Sequence, residues 1–204
     1  MKPKKCKQCQ KIYQPKKPLQ QVCSYECAIA KAKEKREKKE AKEWNKRKKE
    51  AKEKLKTLSD WKKDLEKEIN AIVKLIDKGM TCISCGGSGK EQAGHYHSVG
   101  SNDSIRFHLD NIHLQDYHCN VEKGSNIIGY DLGLIDVYGK EYWNYVKFDL
   151  VKLFPICKFT VEDLQIAIRE ARAIKRELIK ADMIYPAKVR LRLRTELNKR
   201  IGLY

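Results

Sequence analysis

The sequence has no apolar run approaching the roughly 20 residues that cross a bilayer, and its opening, "MKPKKCKQCQ", lacks the apolar stretch of a secretory signal. The expectation is a cytoplasmic protein with no membrane partner. Aromatic residues are scarce at 8% and charged ones make up 35%, with a mean hydropathy of −0.68. That composition argues against one large apolar core and for several small pieces on a polar frame. Acidic residues are in deficit as well: 27 Asp and Glu face 44 Lys and Arg, a formal charge of +17. A polyanion is the partner such an excess fits, because Lys and Arg gain affinity by releasing counterions condensed on phosphates. Proline and glycine are missing altogether between residues 28 and 78.

Cysteine is abundant by comparison, with eight in the chain. A reducing compartment disfavours disulfides, so metal binding is the better use for them. Cys6, Cys9, Cys23 and Cys27 read C-x2-C-x13-C-x3-C, the spacing of four thiolates around Zn²⁺. So short a segment buries too little to fold unaided, and the metal supplies its folding energy. Cys82, Cys85 and Cys119 form a second, incomplete set, and Cys157 stands apart. Three thiolates need a fourth ligand. Asp116 occupies the C-x-x-C position before Cys119, with His118 and His113 as alternatives.

The stretch without Pro or Gly, rich in Ala, Lys and Glu, reads as one long exposed helix over 28–78 ended by Gly79. Trp44, Ala51, Leu58, Leu65 and Ile72 recur every seven residues, and Leu55, Ile69 and Ile76 form a second series offset by three. Lys48 and Lys62 interrupt this heptad seam, whose expected product is a dimerising coiled coil of about 75 Å. The competing reading is a helix that folds back on its own domain. Residues 79–156 then gain Gly, His, aromatic and β-branched residues, as a compact α+β domain does. Beyond them, Thr160 and Asp163 stand at capping-box spacing before a helical period through Ile166, Ile168, Ala171, Ile174 and Leu178. A short basic tail follows. The segment "GGSGK" is not a phosphate-binding loop, since Ser84 replaces its first glycine and Glu91 its Mg²⁺-binding hydroxyl.

The order C-x2-C, a strand with Gly94-His95, Asn111, and then Asp116-x-x-Cys119-Asn120 resembles the HNH nucleases. That resemblance implies a ββα-metal, treble-clef-like core in which His95 is the general base, Asn111 braces it and Asn120 holds Mg²⁺ or Mn²⁺. A histidine with a pKa about 6.5 suits water activation, and a hard cation stabilises charge on the phosphate oxygens. Many HNH members carry Asp where this chain has Gly94. His97, on the same strand face as His95 by alternation, is the candidate replacement as metal ligand or phosphate contact; the alternatives are Asn120 with water and DNA, or Asp103 or Asp110 from the loop. Arg106, Lys123 and Lys90 are candidates for DNA contact.

Over most of its length, through "KCKQC…VCSYEC", "CISCG", "AGHYHSVG", "RFHLDNIH", "CNVEKGSN", "YDLGLI" and "FTVEDL", the chain is similar to the phage NinG, or Rap, recombination endonucleases. Those usually have Cys at the position of Asp116. The resemblance implies an endonuclease for branched recombination intermediates such as Holliday junctions and D-loops, working in a phage-infected or prophage-carrying bacterium. Two symmetric cuts on a junction would call for a homodimer. The alternatives are an HNH enzyme that nicks duplex DNA and a zinc-finger DNA-binding protein without catalysis. The expected fold class is α+β. Its parts are a four-cysteine zinc finger at 1–27, a long basic helix at 28–78, a zinc-stabilised HNH-like domain at 79–156, and a C-terminal helical segment at 157–204. About two structural Zn²⁺ ions per chain are expected.

Overall fold

The position of Thr57 decides the architecture. Its hydroxyl accepts the Asp60 N–H at 3.3 Å while the Asp60 carboxylate accepts the Thr57 N–H at 2.9 Å. This reciprocal capping box starts a new helix where the composition would have let the old one continue. The computed structural model, which describes residues 1–156 and 158–204, accordingly divides into two units, Met1–Lys56 and Thr57–Tyr204. The expected single helix over 28–78 is corrected to two. Cys157 lies outside the described residues.

In the first unit, β1 (Lys4–Lys5) pairs antiparallel with β2 (Ile12–Tyr13). The turn between them uses Gln10 at φ +65°. Ser24 caps α1 (Tyr25–Lys54) by accepting the Cys27 N–H. No residue of α1 is buried, so the helix rests on intrinsic propensity and on i,i+4 ion pairs such as Glu34–Lys38 and Arg36–Glu40. Each such exposed pair contributes little, because solvent screens it.

The second unit is built on α2 (Leu58–Ile76), whose Leu65, Ile69, Ile72 and Ile76 are fully buried. Those residues are the second half of the heptad seam. They pack with Leu164, Ala167, Ile168, Ala171 and Ile174 of α6 (Val161–Ala181), while Trp44 and Leu55 of the first half are exposed. The period therefore records an intramolecular helix pair from Leu65 onward, and that part of the seam is not free to join another chain. α6 opens with the Thr160–Asp163 capping box, although Ile166 of its expected apolar face is exposed.

Against these helices lies a hairpin, β3 (Glu91–His95) and β4 (Ile112–Asp116), with Glu91 opposite Asp116 and His95 opposite Ile112. α3 (Ile127–Tyr138), α4 (Lys140–Asn144) and α5 (Leu150–Leu153) follow. α3 approaches the Cys82–Cys85 turn so closely that a Cβ at Gly133 would stand 1.7 Å from the Ile83 carbonyl oxygen. The last helix, α7 (Ala187–Ile201), returns to the same core through Leu197 and Ile201. Residues 158–204 are therefore part of the hairpin's own unit, which corrects the separate C-terminal segment expected from composition.

α7 also delivers Arg194, which has no exposed surface. Its guanidinium grips both carboxylate oxygens of Asp77 at 2.8 and 2.7 Å. It further donates to the carbonyls of Leu109 and, at 2.7 Å, Ile112. Asp77 in turn accepts the Leu114 N–H at 3.0 Å. One buried pair thus ties the end of α2, both sides of the β4 entry and α7 together. Replacing Asp77 with Ala strands that charge, and urea unfolding is expected to show a loss of about 3–5 kcal/mol. The double variant Asp77→Leu/Arg194→Met is expected to lose less than Asp77→Ala; an equal or larger loss would show that packing, not the charge pair, carries the effect.

Candidate metal centres and hairpin site

Two groups of side chains offer ligand atoms within 4.8 Å of one another: Cys6, Cys9, Cys23 and Cys27, and Cys82, Cys85, Asp116 and Cys119. The first is assembled by local rules. Cys6 follows β1, Cys9 lies in the tight turn after it, and Cys23 and Cys27 flank the capped start of α1. The Cys9 and Cys23 sulfurs are 3.5 Å apart, as are those of Cys23 and Cys27. The Cys23 thiol is pushed up to about 12, chiefly by its hydrogen bonds with Cys9 and Cys27 and least by the charge of Cys27, so the crowded sulfurs compete for protons. A divalent cation removes that conflict, and four thiolates at this spacing fit Zn²⁺.

The second group joins a knuckle to the end of β4. The Cys82 N–H reaches the Gly87 carbonyl and the Gly86 N–H returns to the Cys82 carbonyl, both at 2.8 Å. Gly86 sits at φ +67°, a turn conformation that glycine adopts without steric cost. Asp116 stands 3.2 Å from the Cys85 sulfur and accepts the Cys119 N–H at 2.6 Å. That N–H holds its carboxyl below the usual range, so it is an anion ready to coordinate. The alternatives for the fourth ligand are occupied: His113 is buried against the Tyr130 and Tyr142 hydroxyls, and exposed His118 pairs with Glu122. Three sulfurs and one carboxylate make a donor set consistent with zinc.

Between the second metal group and the far end of the hairpin lie the other expected residues. His95, half-buried, closes β3, and its Nε2 is 2.9 Å from the Arg106 carbonyl. A carbonyl only accepts, so Nε2 carries the hydrogen and Nδ1 the lone pair. Burial holds the imidazole below 6.5. Asn111, fully buried, accepts the His97 N–H at 2.8 Å and donates to the carbonyls of His97 and Ile105 at 3.1 and 3.4 Å. Asn111 therefore braces the loop next to His95 rather than the ring of His95. His97 does not share the setting of His95, which corrects the expectation from alternation. The strand ends at His95, and the His97 ring donates instead to the Val146 carbonyl at 2.8 Å.

Asn120 lies in the turn His118–Glu122, just past the second metal group, and no hydrogen bond among the described residues joins it to His95. Neither loop acid is free to help. Asp103 pairs with Lys62 and Arg106, and buried Asp110 is met by Tyr142 and Asn198. Arg106 is itself held by Glu66 at 2.6 Å and Asp103 at 2.8 Å, so its role is to fasten the loop to α2. Lys123 and Lys90 are exposed, with Lys90 over the Tyr117 ring.

A residue that sequence reasoning missed explains Gly94. A Cβ there would fall 1.7 Å from the Gln115 Oε1. Gln115 is buried and fixed by its amide nitrogen to the Ser84 hydroxyl and, at 2.8 Å, the Ser125 carbonyl. An aspartate at 94 cannot coexist with Gln115 in this position. The alternation of β4 marked Gln115 as facing the same side as His113, but nothing in one sequence marks it as buried.

A family model described as "Bacteriophage Lambda NinG protein" matches residues 1–181. Protein ninG of Escherichia phage lambda is 33% identical over 156 residues, covering 68% of this chain and 76% of that protein. The chain belongs to the NinG family. Protein ninG of Salmonella phage P22 is 33% identical over 154 residues, 67% of this chain and 76% of that one. Protein ninG of Escherichia phage 933W is 37% identical over 89 residues, covering 43% and 44%. No solved structure matches this NinG-family chain. Among its described residues no helix is long and apolar enough to cross a membrane.

For this NinG-family protein, metal analysis of the purified chain is expected to find about two zinc ions. Asp116→Ala should lower that to about one and reduce the melting temperature, while Asp116→Cys should keep both. Unchanged zinc in Asp116→Ala would remove Asp116 from the ligand set.

Proposed function

We propose that this protein is a divalent-metal-dependent endonuclease acting on branched DNA such as four-way junctions. The observation that carries the reading is the hairpin itself. A strand ends at His95, Asn111 clamps the following loop, and Asn120 follows the last ligand of a zinc-type cluster at the other end. With a formal charge of +17, such a chain is suited to a phosphate backbone.

His95 would take the proton of the attacking water through Nδ1, since Nε2–H is committed to Arg106. Its lowered pKa keeps the ring neutral, and thus basic, at pH 7. Asn111 and the Arg106–Glu66 bond hold the ring's surroundings still. No third cluster of His, Cys, Asp and Glu forms among the described residues. A catalytic Mg²⁺ or Mn²⁺ would therefore rest on Asn120 with water and phosphate oxygens, and would supply charge stabilisation at the scissile phosphate. A zinc-dependent DNA-binding protein without catalysis is the second reading. The Gln115 amide beside Gly94 favours it, because it fills the place of a metal-binding carboxylate.

The test uses a labelled four-way junction and a linear duplex of the same arms, with Mg²⁺ and with EDTA. The wild type is expected to cut the junction only with metal, and His95→Ala to bind equally but cut at least about 100-fold more slowly. Activity should fall as pH drops through a value below 6.5, because protonated His95 is no longer a base. Tight junction binding by the wild type without cutting at any enzyme level supports the second reading instead. Equal cutting of linear duplex points to a nicking enzyme.

A further inference from the structure

The face of α2 turned toward the β3 side of the molecule is not neutral. Lys63, Glu66, Lys67, Asn70, Ala71 and Lys74 line a surface groove of about 470 Å³. From Lys63 to Lys74 the helix advances about 16 Å, so the groove is a track and not a point. Its one acid does not neutralise its lysines, because the Glu66 carboxylate is bonded to Arg106 at 2.6 Å. Lys74 crosses to the Glu91 carbonyl at 2.8 Å and so fixes β3 beside the groove. Lys63 and Lys67 are exposed. Small Ala71 leaves room between the lysines.

The groove also leads somewhere. Glu66, one of its walls, is close enough to raise the proton affinity of the His95 ring, and it holds Arg106, whose carbonyl orients that ring. None of Lys63, Lys67 or Asn70 stands out in the sequence. They are three polar residues in a Lys-rich helix, and only the packing of Leu65, Ile69 and Ile72 inward turns them to one outer face.

We propose that this groove is the seat of a DNA strand: Lys63, Lys67 and Lys74 hold backbone phosphates along the strand that runs to His95. The proposal rests on the nucleic-acid reading above and adds to it the surface that does the binding. Recognition here is of phosphate and not of bases, because the groove presents ammonium groups and no stacking ring. It predicts sequence-tolerant, salt-sensitive binding in which each lysine contributes one released counterion.

The test is binding of a fluorescent four-way junction in EDTA, where no cutting occurs, at a series of salt concentrations. Lys63→Gln/Lys67→Gln is compared with wild type and with Lys180→Gln/Lys188→Gln, an equal charge change on α6 and α7. The groove variant is expected to bind at least about tenfold more weakly, with a log Kd against log salt slope shallower by about 2. The control pair should stay near wild type. Both variants alter exposed side chains, and unchanged melting temperatures confirm that they fold. An unchanged slope in the groove variant, or an equal loss in the control, overturns the proposal. Because the assay reads binding alone, it is independent of the nuclease test. A wild type that binds through the groove but never cuts sinks the catalytic reading and leaves the groove standing, and normal groove-variant binding beside metal-dependent cutting does the reverse.

Discussion

A guanidinium with no exposed surface sits where α2, the hairpin and α7 meet. Taking Arg194 out of water is costly, and only the paired oxygens of Asp77 together with two backbone carbonyls make the position tenable. The consequence is geometric. The carbonyls of Leu109 and Ile112 lie on either side of Asn111, so the pair fixes the chain immediately before β4 and with it the residue that clamps the 97–105 loop. Asp77 also occupies the Leu114 N–H, an outer-edge position of β4 that would otherwise lack a partner. A two-stranded hairpin is barely stable alone. Here one end is held by this charge pair and the other by the Cys82–Cys85–Asp116–Cys119 group.

The same division of labour explains how a polar chain folds. The apolar core joins α2, α6, one hairpin face and Leu197 and Ile201 of α7, and a second small cluster gathers Ile83, Tyr96, Tyr130, Leu134 and Val146. The polar contacts are spent on position. Asp131 collects the Tyr96 hydroxyl, the Trp143 indole and Lys147, which fastens the residue after His95 to the α3–α4 layer. His95 itself is held by the Arg106 carbonyl, with Glu66 behind Arg106.

Much of this was legible in the sequence wherever local rules act. The cysteines of the two ligand groups follow from spacing and the α6 start from Thr160 and Asp163, whereas the sequence itself marked only the first strand of the hairpin, and its two-stranded form was implied by the HNH resemblance. The errors arose where a short-range pattern has two long-range solutions. A heptad seam looks the same whether Leu65 and Ile72 meet a second chain or α6. The break at Thr57 went unread in the sequence, although Thr57 and Asp60 stand at capping-box spacing. Strand alternation misled for His97 because the ladder stops two residues earlier. Arg194 and Gln115 had no signal at all, since burial of a polar side chain depends on partners 117 residues away in one case and 31 in the other.

The proposed nuclease chemistry requires that Nδ1 of His95 and the side chain of Asn120 meet one phosphate, and no hydrogen bond among the described residues joins the two side chains. The most direct measurement is a crystal structure of the protein with a four-way junction and Mn²⁺, read from anomalous scattering at the manganese edge. The account predicts a manganese peak within coordination distance of the Asn120 side-chain oxygen and a junction phosphate, with His95 Nδ1 facing that phosphate. A junction bound with no manganese at Asn120 and His95 remote from every phosphate would contradict it.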